Sequence, residues 1–191
     1  RPLLGKEMLL LARKLADYYC CSYGEAIESM LPQEIRKGKN LGDAPQRDTL
    51  LSEPGTLGSV PQVLHDLEPK GRWEIYVEEA KRALDAGKSV IILFSDIQLI
   101  LKAKEIFEKA QVKDVHTLYR KEKEEFMVWQ EVRSKESSVV LGTRSAVFAP
   151  VNNLGLIILD HEEDSVYKQE QVPHYHAREA ALMRAEIEGA K

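Results

Sequence analysis

Apolar side chains recur at Leu4, Met8, Leu11, Leu15 and Tyr18, steps of three and four that place them on one face of a helix. Gly24 is expected to break that helix. A shorter apolar pattern, Ala26, Ile27, Met30 and Leu31, then stops at Pro32, whose ring removes the donor for the next turn. Helical spacing returns over 74–86, 99–110 and 119–133, and a closing helix is predicted over 176–187. Between these helices lie continuous apolar runs, SVIILF at 89–94, 137–141, and LGLIILD at 154–160. Runs without alternation are the mark of strands buried on both faces, so the pattern predicts an α/β fold, a parallel sheet covered by helices. The first two helices form an N-terminal appendage to it. Ligands of such a sheet sit outside the carboxyl ends of its strands.

Prolines and glycines divide the chain. Pro32, Pro45, Pro54, Pro61 and Pro69 make up five of its eight prolines, and they share 32–71 with Gly38, Gly42, Gly55, Gly58 and Gly71. That stretch reads as a linker or long irregular loop, because such lengths without regular structure are uncommon inside a compact domain. The expected organisation is a helical segment at 1–31, the Pro/Gly-rich stretch at 32–71, and the sheet at 72–191. A total of 191 residues suits one domain with an appendage.

Composition narrows the function classes. With 43% hydrophobic and 30% charged residues, disorder, collagen and disulfide scaffolds are excluded. The formal charge of −4 excludes nucleic-acid binding through an overall basic surface and leaves only a local basic stripe. Cys20 and Cys21 are adjacent, a poor geometry for pairing, so reduced thiols and a cytoplasmic setting are expected. No run approaches the roughly 20 apolar residues of a membrane span. The first residue, Arg1, is not methionine, which predicts a piece excised from a longer chain.

Four places carry candidate chemistry. Gly87-Lys88-Ser89 has the ending of a phosphate-binding loop, but a helix precedes it and a strand follows, the reverse of what that loop requires, so it reads as a turn. Asp160 stands at the end of a buried strand and is followed by Glu162, Glu163 and Asp164. A carboxylate there can orient Mg²⁺ through water, and a neighbouring glutamate can position an attacking water on a phosphate; an acidic turn of this kind is as often only solvated charge. Gly142-Thr143-Arg144-Ser145 also follows a strand, and its hydroxyls and guanidinium suit phosphate contact, although a plain turn has the same composition. Tyr167, Lys168 and the segment Pro173-His174-Tyr175-His176-Ala177-Arg178 interleave basic and aromatic side chains that can stack on bases and pair with phosphates. His174 and His176 lack a third ligand nearby in sequence, which argues against zinc.

Taken together, GTRSAVFAP, NLGLIILD, DSVYKQE and YHARE closely resemble, in order and spacing, the first helicase lobe of the PriA family of replication-restart DNA helicases. LLLARKLADYYCCSYGEAIESMLP resembles the helix closing that family's N-terminal DNA-binding domain, while the middle of the chain is poorly matched. The resemblance implies a RecA-like helicase lobe 1, ATP and Mg²⁺ as cofactors, and as partners single-stranded or forked DNA and primosome or replication proteins. It implies that Thr143, Arg144, Ser145 and Lys168 face DNA and that Asp160 serves Mg²⁺. Departures from the pattern fall on the nucleotide site. Where the family has Gly-Lys-Thr-Glu-Val-Tyr, this chain has Gly71-Arg72-Trp73-Glu74-Ile75-Tyr76, a degenerate phosphate loop in which arginine replaces the phosphate lysine and tryptophan the Mg²⁺-holding hydroxyl. The family's Asp-Glu-Glu-His is here Asp160-His161-Glu162-Glu163, so His161 stands at the catalytic glutamate position and Glu162 is the substitute at hand. No counterpart of the winged-helix region, second lobe or cysteine-rich zinc insertion is recognisable. The expectation is a DNA-binding helicase-lobe fragment with defective ATP hydrolysis; the rivals are an active ATP-dependent helicase fragment, with Arg72 serving phosphate and Glu162 the water, and a protein–protein scaffold of the primosome.

Overall fold

A computed structural model describes residues 3–37, 71–119 and 125–191. It opens with α1 (Lys6–Tyr18) and α2 (Tyr23–Met30). Gly24 does not end a helix as expected; it lies inside α2. Ser22 accepts a hydrogen bond from the Glu25 backbone N–H while the Glu25 carboxylate accepts from that of Ser22, a reciprocal cap that outweighs the roughly 1 kcal/mol cost of a helical glycine. The break falls instead at Cys20, whose φ of 51° is left-handed. Pro32 ends α2 and also precedes a short helix, α3 (Gln33–Lys37), its carbonyl accepting from the N–H groups of Ile35 and Arg36. The rest of the Pro/Gly-rich stretch, 38–70, lies outside the described residues.

Then follow α4 (Gly71–Asp85), β1 (Ser89–Leu93), α5 (Ile97–Lys109), β2 (Val115–Leu118), α6 (Glu125–Ser134), β3 (Val139–Gly142), β4 (Leu154–Leu159) and α7 (Ala177–Glu188). The four strands are parallel in the order β2-β3-β1-β4. β2 was not expected from the pattern, and Tyr119, expected to begin a helix, directly follows it. The reason is position: β2 is a short edge strand, mostly half-covered, and Val-His-Thr-Leu carries no continuous apolar run. Gly87 sits in the turn before β1 with φ 69°, in line with a turn at Gly87-Lys88-Ser89.

Alternate residues of β1 enter two cores. Val90, Ile92 and Phe94 face α4 and α5, meeting Trp73, Ala80 and Phe107. Ile91 and Leu93 face the opposite layer, where Leu11 and Leu15 of α1, Trp129 of α6 and Ala180 of α7 share one cluster. The N-terminal helices are therefore docked on the sheet's own core. Tyr19 reinforces the joint by accepting a 3.0 Å hydrogen bond from the His176 N–H, and Lys14 pairs with Glu186 at 2.7 Å. No helix of the described residues is long and apolar enough to cross a membrane.

Candidate functional site

Parallel strands deliver their carboxyl ends to one edge, and α4, which runs back to the start of β1, brings its N-terminus to that same edge. Gly71, Arg72 and Trp73 thus occupy the first turn of α4. The Arg72 guanidinium lies 3.5 Å from Asp160 Oδ1 and touches His161 Nε2. Tyr76, one helical turn further on, donates to the same Oδ1 at 2.8 Å. Asp160 is 1% exposed, so its charge has left water and is met by protein groups. Its Oδ2 and Arg72 Nε are buried without a hydrogen-bond partner. Trp73 stacks on Phe94 with ring centroids 5.8 Å apart, and the Arg72 and Lys102 cations lie 5.1 and 5.4 Å from its ring.

The turn after Asp160 spreads its charges. His161 has a φ of 50°, unusual for a residue with a side chain, and its Nδ1 lies 3.5 Å from the Glu163 carboxylate. Glu162 accepts a 3.0 Å hydrogen bond from Arg178, near the start of α7. The buried Tyr167 hydroxyl lies 2.6 Å from the Asp160 carbonyl and 3.0 Å from that of Leu93, joining the ends of β4 and β1. Burial above all, with the neighbouring Asp160 carboxylate, raises its pKa, so it stays a neutral donor.

At the end of β3 the chain makes one 3₁₀ turn, Arg144–Phe148. Gly142 is needed here for space: a Cβ would lie 2.2 Å from the Leu118 carbonyl oxygen and 2.3 Å from Ala146 Cβ. The Arg144 guanidinium donates to the carbonyls of Val166 and Lys168, at 2.9 and 2.5 Å. Arg144 thus clamps the loop that carries Lys168, whose side chain is exposed. Phe94, Ser95, Thr143, Arg144, Ser145 and Val166 line a cleft of about 200 Å³ between the ends of β1 and β3.

The structure therefore brings Arg72, Asp160 and His161 together, sets Thr143, Arg144 and Ser145 beside the Val166–Lys168 loop, and turns Glu162 toward Arg178. Sequence reasoning missed Tyr76, and it read Tyr167 as a ring that can stack on bases, whereas that ring is fully buried and its hydroxyl is held by the two strand-end carbonyls; an aromatic with a polar tip in a motif was the available signal. It also missed Arg184, which is 1% exposed and donates to the carbonyls of Val147 and Ala149, at 2.6 and 2.9 Å, and to Glu188. Nothing in its sequence neighbourhood marks that arginine as buried.

A parallel sheet with helices on both faces and its polar groups gathered at the strand ends defines an α/β protein consistent with a RecA-like lobe. A family model for the 3′ DNA-binding domain (3′BD) of PriA matches residues 1–32. The chain is similar to the replication restart protein PriA of Bacillus subtilis (strain 168), 41% identical over 128 residues that cover 65% of this chain and 16% of that protein. Over 200 residues, covering 95% of this chain and 30% of the relative, it is 30% identical to PriA of Treponema pallidum (strain Nichols). PriA of Rickettsia prowazekii (strain Madrid E) is 28% identical over 97% of this chain and 31% of its own length. The chain belongs to the PriA replication restart family and spans between 16% and 31% of the length of these relatives.

Proposed function

We propose that this chain binds DNA in replication restart through the cleft between the ends of β1 and β3, and does so without turning over ATP. The cleft carries the reading: the hydroxyl-bearing residues Ser95, Thr143 and Ser145 line it with apolar Phe94 and Val166, a mixture suited to a sugar-phosphate backbone passing under a base. Lys168 supplies an exposed cation beside it, and Arg144 holds the Lys168 loop in place. The match to a 3′ DNA-binding domain at 1–32, docked on the same core, supports a DNA partner. Against hydrolysis stand the groups at the neighbouring strand end. Trp73 offers no oxygen to a metal, His161 occupies the position expected of a glutamate, and Glu162 is engaged by Arg178.

The test is fluorescence anisotropy with a single-stranded and a forked oligonucleotide over a salt series, beside a phosphate-release assay. The expected result is binding that weakens with salt, a slope reduced by about one unit on Lys168→Ala, and no DNA-stimulated phosphate release. Absence of salt-sensitive binding would favour a protein-contact scaffold. Robust phosphate release abolished by Glu162→Gln would restore the ATPase reading.

A further inference from the structure

A carboxylate carried into the protein interior must be met by a cation or by donors, or it loses its charge. Asp160 is such a group, and its charge is met from within the chain: Arg72 lies 3.5 Å away and Tyr76 donates at 2.8 Å. The PriA resemblance assigns these two positions to ligand-binding groups, a lysine for phosphate and an aspartate for Mg²⁺. The residues present do not fit that ligand. Asp160 Oδ1 already takes Tyr76 and faces Arg72, position 73 has a ring stacked on Phe94 in place of a hydroxyl, and a divalent cation beside Asp160 would be repelled by the guanidinium.

We propose that Arg72 is a permanent internal counter-ion for Asp160, holding the carboxyl edge of the sheet in the arrangement that Mg²⁺ and nucleotide would otherwise support. Arginine suits the task because its guanidinium stays charged and reaches further than an ammonium, with several donors in one plane. Its Nε and Asp160 Oδ2 are both buried without a hydrogen-bond partner, a complementary donor and acceptor on the two members of the pair. From Asp160 the support passes to Tyr167, which bridges the carbonyls of Asp160 and Leu93, and so to the end of β1 beside the cleft. This rests on the reading that nucleotide turnover is lost, and it adds what has taken the nucleotide's structural place.

The experiment is thermal unfolding of the full chain without DNA, in millimolar Mg²⁺ and in excess EDTA, for the unaltered chain, Arg72→Met, Asp160→Asn and the double variant. The unaltered chain should melt at the same temperature in both solutions. Arg72→Met, which leaves a buried carboxylate uncompensated, should lower the midpoint by roughly 6–10 °C. Asp160→Asn should lower it less, since the arginine head is partly exposed and can turn to water. Adding Asp160→Asn to Arg72→Met should recover most of the loss. If Arg72→Met does not fold, folding of the double variant carries the same conclusion. The proposal is overturned if Mg²⁺ raises the midpoint of the unaltered chain by more than about 2 °C, if the double variant loses the sum of the singles, or if neither variant lacking Arg72 folds. Because no DNA is present, a chain that binds DNA yet is stabilised by Mg²⁺ breaks this proposal alone.

Discussion

The ends of β3 and β4 lie on the same edge of the sheet and have been built in opposite ways. At β3 the backbone is packed so closely that Gly142 has no room for a methyl group, and the nearby arginine is engaged with carbonyls. At β4 a buried charge is balanced by another charge, and the turn beyond it is exposed and acidic. The difference bears on which positions can change. A steric site that admits only a hydrogen atom has no substitute for glycine, whereas an electrostatic site accepts any partner that brings the required charge within reach.

The largest effect expected from this contrast is at Gly142. Gly142→Ala should destabilise the chain by roughly 3 kcal/mol, since both the Leu118 carbonyl and Ala146 must move. Gly155→Ala, in β4, would also meet a fixed atom, with its Cβ 2.6 Å from Lys88 Cβ, but it meets no backbone oxygen and should cost less, about 1–2 kcal/mol. Urea unfolding of the two variants measures the difference, and equal losses would break the comparison.

A middle-sized effect is expected at Arg144. Arg144→Ala should cost about 1–2 kcal/mol through two lost carbonyl contacts and should weaken DNA binding several-fold by releasing the Lys168 loop. Arg144→Lys sharpens the point, because an ammonium lacks the guanidinium's fixed fork. Full recovery of affinity and salt slope by lysine would make Arg144 a phosphate contact instead of a clamp.

The smallest effect is a pH dependence on the β3 side. His116 of β2 is paired in register with Val140, and burial holds its pKa below the ordinary 6.5, opposed by Glu131. Well above 6.5 the imidazole is neutral in both folded and unfolded chains and contributes no pH dependence. As pH falls through 6.5 toward the folded pKa the unfolded chain binds more protons, so stability should decline and then level off. His116→Gln should remove that part of the decline; an unchanged profile would show that another group produces it.

Much of this molecule was legible in its residue pattern, unevenly. The buried strands β1, β3 and β4 stood out because central parallel strands need continuous apolar runs, whereas β2, half-covered at the edge, carries no such run. Gly24 misled because glycine's helix cost is small beside a reciprocal cap. At the site, Asp160, Arg144 and Arg72 were marked by type and motif. That Arg72 pairs with Asp160 was not, and neither were the roles of Tyr76, Tyr167 and Arg184, whose polar tips reach across the fold.

Sequence alone determined what short-range chemistry determines here: where helices repeat an apolar face and where a strand is buried on both sides. Only the tertiary structure decided that Arg72 meets Asp160, that Arg144 closes on the loop bearing Lys168, and that the N-terminal helices share a core with α7. The reason is physical. Periodicity and capping act over a few residues, while the partner of a buried charge is chosen by strand order and crossover, which place residues distant in the chain within a few ångströms of each other.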